Sequence, residues 1–314
     1  MKKLPVAVAL LLSLAACSEP EPVQWQTPPA TASSAPPAST LPSGLDAYLD
    51  DGDEAELRVY GATDGTLLRS FPIPAGEDKT FSPTFAWAAE IKSNTLIVYA
   101  LSGDAYARKA RLTPEALQVK DLTLQTAAFI PGTNLLAIEV DGGDGITHKT
   151  ISLDPADPAN TIRDFAGIPF SWDSHADPVE TAYVPIPALP KAQDVVIRRS
   201  ARELVQADIL EDDDPLYTCT GPELAPFTLA CHGQGSTAVL AALTADPAKN
   251  VATLRVIGKA KGKPFTAVHV SPDGKTLLAQ RADGFYSVPV TGGKPTLLFD
   301  ALPRSKDLTI LAWN

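Results

Sequence analysis

The stretch that most constrains this chain lies near its C-terminal end, PFTAVHVSPDGKTLLAQRADGFYSVPVTGGKPTLLF, residues Pro264 to Phe299. Three turn signals divide it. Pro272-Asp273-Gly274 after Ser271 suits a type I turn. Asp283-Gly284 and Gly292-Gly293 suit two-residue hairpins. The intervening segments, Thr266–Val270, Thr276–Arg281, Phe285–Val290 and Thr296–Phe299, are rich in Val, Leu and aromatic residues and read as strands a, b, c and d of an antiparallel meander. A lone four-stranded sheet with apolar residues on both faces is unstable in water, so the meander requires neighbours on each side.

Neighbours of the same kind recur. Phe85-Ala86-Trp87, Phe170-Ser171-Trp172 and Leu311-Ala312-Trp313 are spaced by 85 (172 − 87) and 141 (313 − 172) residues. These are two and three periods of about 42–47, the size of a propeller blade. Placed in strand a, they set a register in which strand b holds Leu96-Ile97-Val98, Leu135-Leu136-Ala137, Ala182-Tyr183-Val184, Leu229-Ala230-Cys231 and Leu277-Leu278-Ala279, at steps of 39, 47, 47 and 48. Five units follow: Phe81–Leu124, Gln125–Phe165, Ala166–Leu210, Pro215–Ile257 and Pro264–Phe299. Leu45–Leu49, Glu56–Ala62 and Thr66–Ile73 supply strands b, c and d of another, and Leu308–Trp313 its missing a. The expectation is an all-β, six-bladed propeller of four-stranded antiparallel blades, closed by strands from both chain ends, with seven blades as the alternative. Such closure removes free sheet edges. In this register Cys219 lies on strand a and Cys231 on strand b of one blade. An even cysteine pair suits a cross-strand disulfide in an oxidising compartment, worth roughly 3 kcal/mol in the chain-entropy model; two buried free thiols are the alternative.

The N-terminus carries different information. Met1-Lys2-Lys3 is a positive n-region, and Leu4 to Leu14 is an apolar run too short for a stop-transfer helix. Leu14-Ala15-Ala16-Cys17 resembles the lipobox of bacterial lipoproteins. The resemblance implies a signal peptide over 1–16 and lipidation of Cys17. Ser18 after the cysteine implies sorting to the outer membrane. Residues 17–44 form a lipidated Cys followed by a Pro/Ser/Thr/Ala-rich tether that lacks the apolar surface to fold, and 45–314 form the propeller domain. The formal charge of -11 becomes -13 once Lys2 and Lys3 leave with the signal. That balance disfavours nucleic acid and anionic lipid surfaces, so contact with the bilayer is expected through the anchor only.

SPDGKTLL followed by a Gly-Gly hairpin resembles the TolB-type, WD-repeat-like propellers of bacterial envelope proteins. The resemblance covers one blade closely and Phe129–Gly142 weakly, and implies a periplasmic binding scaffold. The chain departs from TolB in having a tether in place of an N-terminal α/β domain. Trp172-Asp173 reads WD, but in the wrong strand.

In a propeller the b–c and d–a connections share one face. That face collects Asp50, Asp51, Asp53 and Glu54; Glu77 and Asp78; Asp104; Asp141 and Asp144; Asp194; Glu211, Asp212, Asp213 and Asp214; and His232. Lys259, Lys261 and Lys263 interrupt it. The expected ligand is an envelope protein with a basic segment. A Ca²⁺ ion is a second possibility, since Asp141-Gly-Gly-Asp144-Gly has oxygen ligands without EF-hand spacing. The bland reading is a solvated face of an acidic protein. No cofactor is expected otherwise. His148, His175, His232 and His269 are assigned to different blades and faces, with His269 as a satisfied core histidine and no HxH or HExxH pair. GQGS around Ser236 is not a nucleophile elbow. The function expected is therefore a periplasm-facing protein-binding scaffold on the outer membrane; a calcium-assisted hydrolase or lactonase, or a binder of small glycan or peptidoglycan fragments, is the alternative.

Overall fold

A computed structural model describes residues 41–76, 79–119, 121–130, 133, 135–143, 145–153, 162–165, 179–187, 194–211, 214–234, 238–304 and 307–314. In chain order the strands are β1 (Leu45–Asp50), β2 (Ala55–Tyr60), β3 (Leu67–Ile73), β4 (Thr80–Phe81), β5 (Trp87–Lys92), β6 (Thr95–Ser102), β7 (Ala105–Leu112), β8 (Thr123–Phe129), β9 (Leu135–Asp141) and β10 (Ile146–Ser152). They continue as β11 (Arg163–Phe165), β12 (Glu180–Pro185), β13 (Asp194–Arg199), β14 (Leu204–Glu211), β15 (Asp214–Cys219), β16 (Thr228–Gly233), β17 (Val239–Asp246) and β18 (Val251–Lys259). The last are β19 (Ala267–Val270), β20 (Thr276–Arg281), β21 (Gly284–Pro289), β22 (Thr296–Asp300) and β23 (Leu308–Trp313). All described pairings are antiparallel, in sheets β23-β1-β2-β3, β4-β5-β6-β7, β8-β9-β10-β11 and β19-β20-β21-β22, plus a seven-stranded sheet running from β12 to β18 in order. The fold is a β-propeller.

The closing unit is shared between the chain ends as expected. Leu45 faces Trp313 and Leu49 faces Leu308 across the β1–β23 ladder. Beyond it Gly44 and Asn314 exchange two backbone hydrogen bonds of 3.0 and 2.8 Å.

Burial follows position in the blade. The second strands are covered on both faces: Leu45 to Leu49, Leu136 to Ile138, Leu229 to Gly233 and Leu277 to Ala279 are all buried. Outermost strands such as β22 and the start of β3 are mostly exposed. A strand covered on both faces needs a continuous apolar run rather than alternation, which is why the Leu-Leu-Ala segments stand out in the sequence. Shared cores link consecutive units. Leu57, Phe71, Phe85 and Tyr106 join the closing unit to β4–β7, and Leu49, Leu278, Phe285 and Leu308 join it to β19–β22. Ala230, Leu240, Val268 and Leu277 continue the series to β15–β18.

Two details differ from the sequence register. Phe85-Ala86-Trp87 is not a first strand: Phe85 and Ala86 lie in the turn after β4, and Trp87 opens the second strand. Leu96-Ile97-Val98 consequently falls in the third strand. The turn itself explains this. Ser82 N–H donates to Trp87 C=O, Phe85 N–H to Ser82 C=O, and Ser82 Oγ accepts from Trp87 N–H. Ser271, Gly274 and Thr276 repeat the same three bonds. Phe85 takes φ 57°, where the equivalent Gly274 has φ 68°. The Ser-Pro pair, not the aromatic triplet, marks the register.

The second difference concerns the units expected at Ala166–Leu210 and Pro215–Ile257. They are not separate sheets, because β14 and β15 pair antiparallel, Glu211 opposite Asp214 and Ala207 opposite Cys219. The seven-stranded sheet bends so that Val184, Val195 and Ile197 share a core with Leu243, Ala245 and Ala252. Residues 166–178, with Phe170-Ser171-Trp172, lie outside the described residues.

Neighbouring units also clasp at their rims. Gly293 N–H donates to Ile257 C=O at 2.9 Å, so the hairpin of one unit rests on the last strand of the unit before. Gly65 repeats the contact against Phe299: a Cβ there would lie 2.6 Å from the ring. Arg69 pairs with Asp104 in the same manner one unit on.

Candidate functional site

The b–c and d–a connections present the acidic loops. In the β1–β2 loop, Asp50 accepts from the Tyr48 hydroxyl (2.7 Å) and Gly52 N–H (2.9 Å). Burial pushes its carboxyl up, but these bonds and the charge of Lys79 outweigh burial and leave it below the usual carboxylate range. Asp51 Oδ1 caps its own turn by accepting from the N–H groups of Asp53 and Glu54 at 3.0 and 2.8 Å. Arg304, in the β22–β23 connection, pairs with Asp51 and, at 2.9 Å, with Glu54. Asp53 is exposed. Asp141 accepts from Gly143 N–H at 2.8 Å. Glu211 and Asp214 flank the β14–β15 hairpin, and Asp214 is exposed. Asp104 leaves this face: with β6 the third strand, its hairpin emerges at the opposite end, and Asp104 pairs with Arg69. Cys17, Glu77, Asp78, Asp144, His175, Asp212 and Asp213 lie outside the described residues. Among the described residues no three His, Cys, Asp or Glu side chains converge as a metal would require. No described helix is long and apolar enough to cross a membrane.

Cys219 and Cys231 are joined as a disulfide between directly opposed positions of β15 and β16, with Cα atoms 4.0 Å apart.

Three buried polar groupings were not foreseen. The first pairs two of the scattered histidines. His232, only 5 % exposed, lies opposite Thr218, which in turn lies opposite Asp208, so three strands carry one polar row. Gln234 Nε2 donates to Thr218 Oγ1 (3.0 Å) and Gln206 Nε2 to Asp208 Oδ2 (3.2 Å). His269 of β19 lies close enough to His232 to feel its charge. Among the described residues, Nδ1 of His232 and Nε2 of His269 are buried without a hydrogen-bond partner, so His269 is not the satisfied core residue expected. Burial lowers the His232 pKa, partly offset by bonds to the backbone of Phe265 and Gly233 and by Asp208. Burial and then the neighbouring His232 bring His269 down to about 4. Both rings are therefore neutral at neutral pH.

The second grouping is a buried ion pair, Lys79 Nζ to Glu90 Oε2 at 3.0 Å, with side chains 0 % and 1 % exposed. Tyr99 hydroxyl donates to Glu90 Oε1 at 2.6 Å, and Lys79 Nζ lies 5.9 Å from the Tyr48 ring centre. The third is Asp46, buried beside the chain's last residue. At the rim, a groove of about 460 Å³ is lined by Asp64, Gly65, Leu298, Phe299, Asp300 and Leu302, among others.

No protein-family model matches the chain, and no curated protein does. Solved structures do. The Pseudomonas aeruginosa periplasmic gluconolactonase PpgL is 15 % identical, over 83 % of this chain and 81 % of that one, with a TM-score of 0.41. The β-propeller domain of Cps50 (Swd1) from Myceliophteria thermophila is 11 % identical over 82 % and 87 %, TM-score 0.33. Apo AztD from Citrobacter koseri is 14 % identical over 82 % and 82 %, TM-score 0.34.

Proposed function

We propose that this chain is a lipoprotein of the Gram-negative envelope, held at the outer membrane through Cys17, whose propeller faces the periplasm as a protein-binding scaffold. The observation that carries the reading is the disposition of the acidic loops. Asp50, Asp51 and Asp141 each close their own turn by accepting backbone N–H groups, while Asp53 in its loop and Asp214 at the start of β15 are exposed to solvent. Carboxylates spread in this way suit a broad contact with a basic partner segment, steered by long-range charge. A calcium-assisted hydrolase would instead need them convergent.

Crosslinking in cells with the lipidated protein tests the proposal. One envelope protein should be captured reproducibly, and reversing the charges of Glu211–Asp214 should abolish its capture. Unchanged capture by the charge-reversed protein would remove the acidic face from the account. A protein recovered wholly in the soluble periplasmic fraction would remove the anchor.

A further inference from the structure

Ring closure rests on one non-covalent ladder between the first and last strands. Near its end Asp46 stands opposite Ala312 of β23 and Val59 of β2, with a register shift immediately after it. Its exposure is 0 %. Oδ2 accepts from the Asn314 side-chain amide. Among the described residues Oδ1, which is buried, has no hydrogen-bond partner. The titratable group facing it from β7 is Tyr106, whose hydroxyl donates to the Phe85 carbonyl at 2.5 Å and not to the carboxylate. On its own strand, Tyr48 and Asp50 are bonded to each other further along. Among the described residues no lysine or arginine pairs with Asp46. A carboxylate with one bare oxygen in such a setting is strongly disfavoured, and a neutral carboxyl much less so.

We propose that Asp46 is a proton-operated latch on the seam of the ring: the closed seam holds the neutral acid, and β23 is released from β1 more readily once that proton can be lost. Release bares the edge of β1, a row of unpaired N–H and C=O groups to which a partner strand can add. The direction follows from linkage. Burial raises the Asp46 pKa from 3.8 to about 7 in the closed seam, against the pull of the Asn314 bond. Between these values the closed form keeps the proton and the open form has lost it, so opening becomes easier as pH rises through the window and levels off above it. The opening constant should rise about tenfold per pH unit, approaching ~1000-fold across the window.

Amide hydrogen exchange on the intact protein tests this, with rates corrected for intrinsic pH dependence. Protection of β23 amides should fall about tenfold per unit between pH 5 and 7, and much less for Leu277 and Leu278 in the interior of another unit. Asp46→Asn should flatten the β23 slope. An equal slope in the variant, or no slope in the unmutated protein, overturns the latch. Should the variant fail to fold, the Asp46 carboxyl ¹³C shift in the unmutated protein decides. A midpoint near 7 supports the latch, and one near 4 overturns it.

Discussion

Lys79→Met is the substitution whose effect the structure defines best. It removes the ammonium while keeping most of the side chain's bulk, and leaves Glu90 buried with the Tyr99 hydroxyl on its other oxygen. At 3.0 Å the attraction at an effective dielectric of 20 is about 5 kcal/mol before desolvation is counted. Removing one member of a buried pair costs about 3–5 kcal/mol, because the remaining charge is stranded. For a domain of this size that corresponds to a fall in Tm of roughly 6–20 °C. Glu90→Gln in the Lys79→Met background removes the stranded charge and should restore about half or more of the loss. Urea unfolding of the two single variants and the double variant measures the coupling. A loss below about 1 kcal/mol for Lys79→Met, or strictly additive losses in the double variant, would refute the picture of a dry, mutually dependent pair.

Three further outcomes follow from other parts of the fold. His269, with a folded value near 4 against an ordinary 6.5, binds its proton less readily folded than unfolded, so its contribution to stability rises as pH increases from 4 to 6.5; His269→Gln should reduce that rise in urea midpoints, and an unchanged pH profile would contradict it. Asp46 contributes the opposite slope, so each variant is read as a difference from the unmutated protein. Replacing both Cys219 and Cys231 by Ser should lower stability by roughly 3 kcal/mol without changing the far-ultraviolet spectrum of the folded state. Gly65→Ala sets a Cβ 2.6 Å from the Phe299 ring at a φ of +67°; a loss of about 1–3 kcal/mol is expected, and a neutral effect would mean that the rim clasp yields freely.

The repeat and the sharing of one unit by both chain ends were legible because strands covered on both faces require continuous apolar runs. Leu277-Leu278-Ala279 and Leu135-Leu136-Ala137 are such runs, and the unpaired segment at Leu308 supplied the missing strand. The register of the first full unit was misread because Phe85-Ala86-Trp87 looks like a strand, whereas the Ser82-Pro83 turn sets the pairing; the matching Ser271-Pro272 was visible and was the better guide. The β14–β15 ladder was hidden for a different reason. A hairpin joining two units uses backbone groups alone, and Glu211–Asp214 resemble an open acidic loop. The histidine pairing was invisible because residues 232 and 269 lie on strands of different units, and no local spacing encodes a contact between blades. Asp46 offered even less, since the first of two acids in LDAYLD reads as a solvent-facing position until the strand is known to be covered on both sides.

The last strand completes the sheet begun by the first. Thermal unfolding of a chain ending at Asp307, set beside the full chain, tests it most directly. Loss of the innermost strand strips cover from Leu45, Leu49 and Tyr60, and the shortened protein should show no cooperative transition. A sharp transition within a few degrees of the full-length value would contradict it.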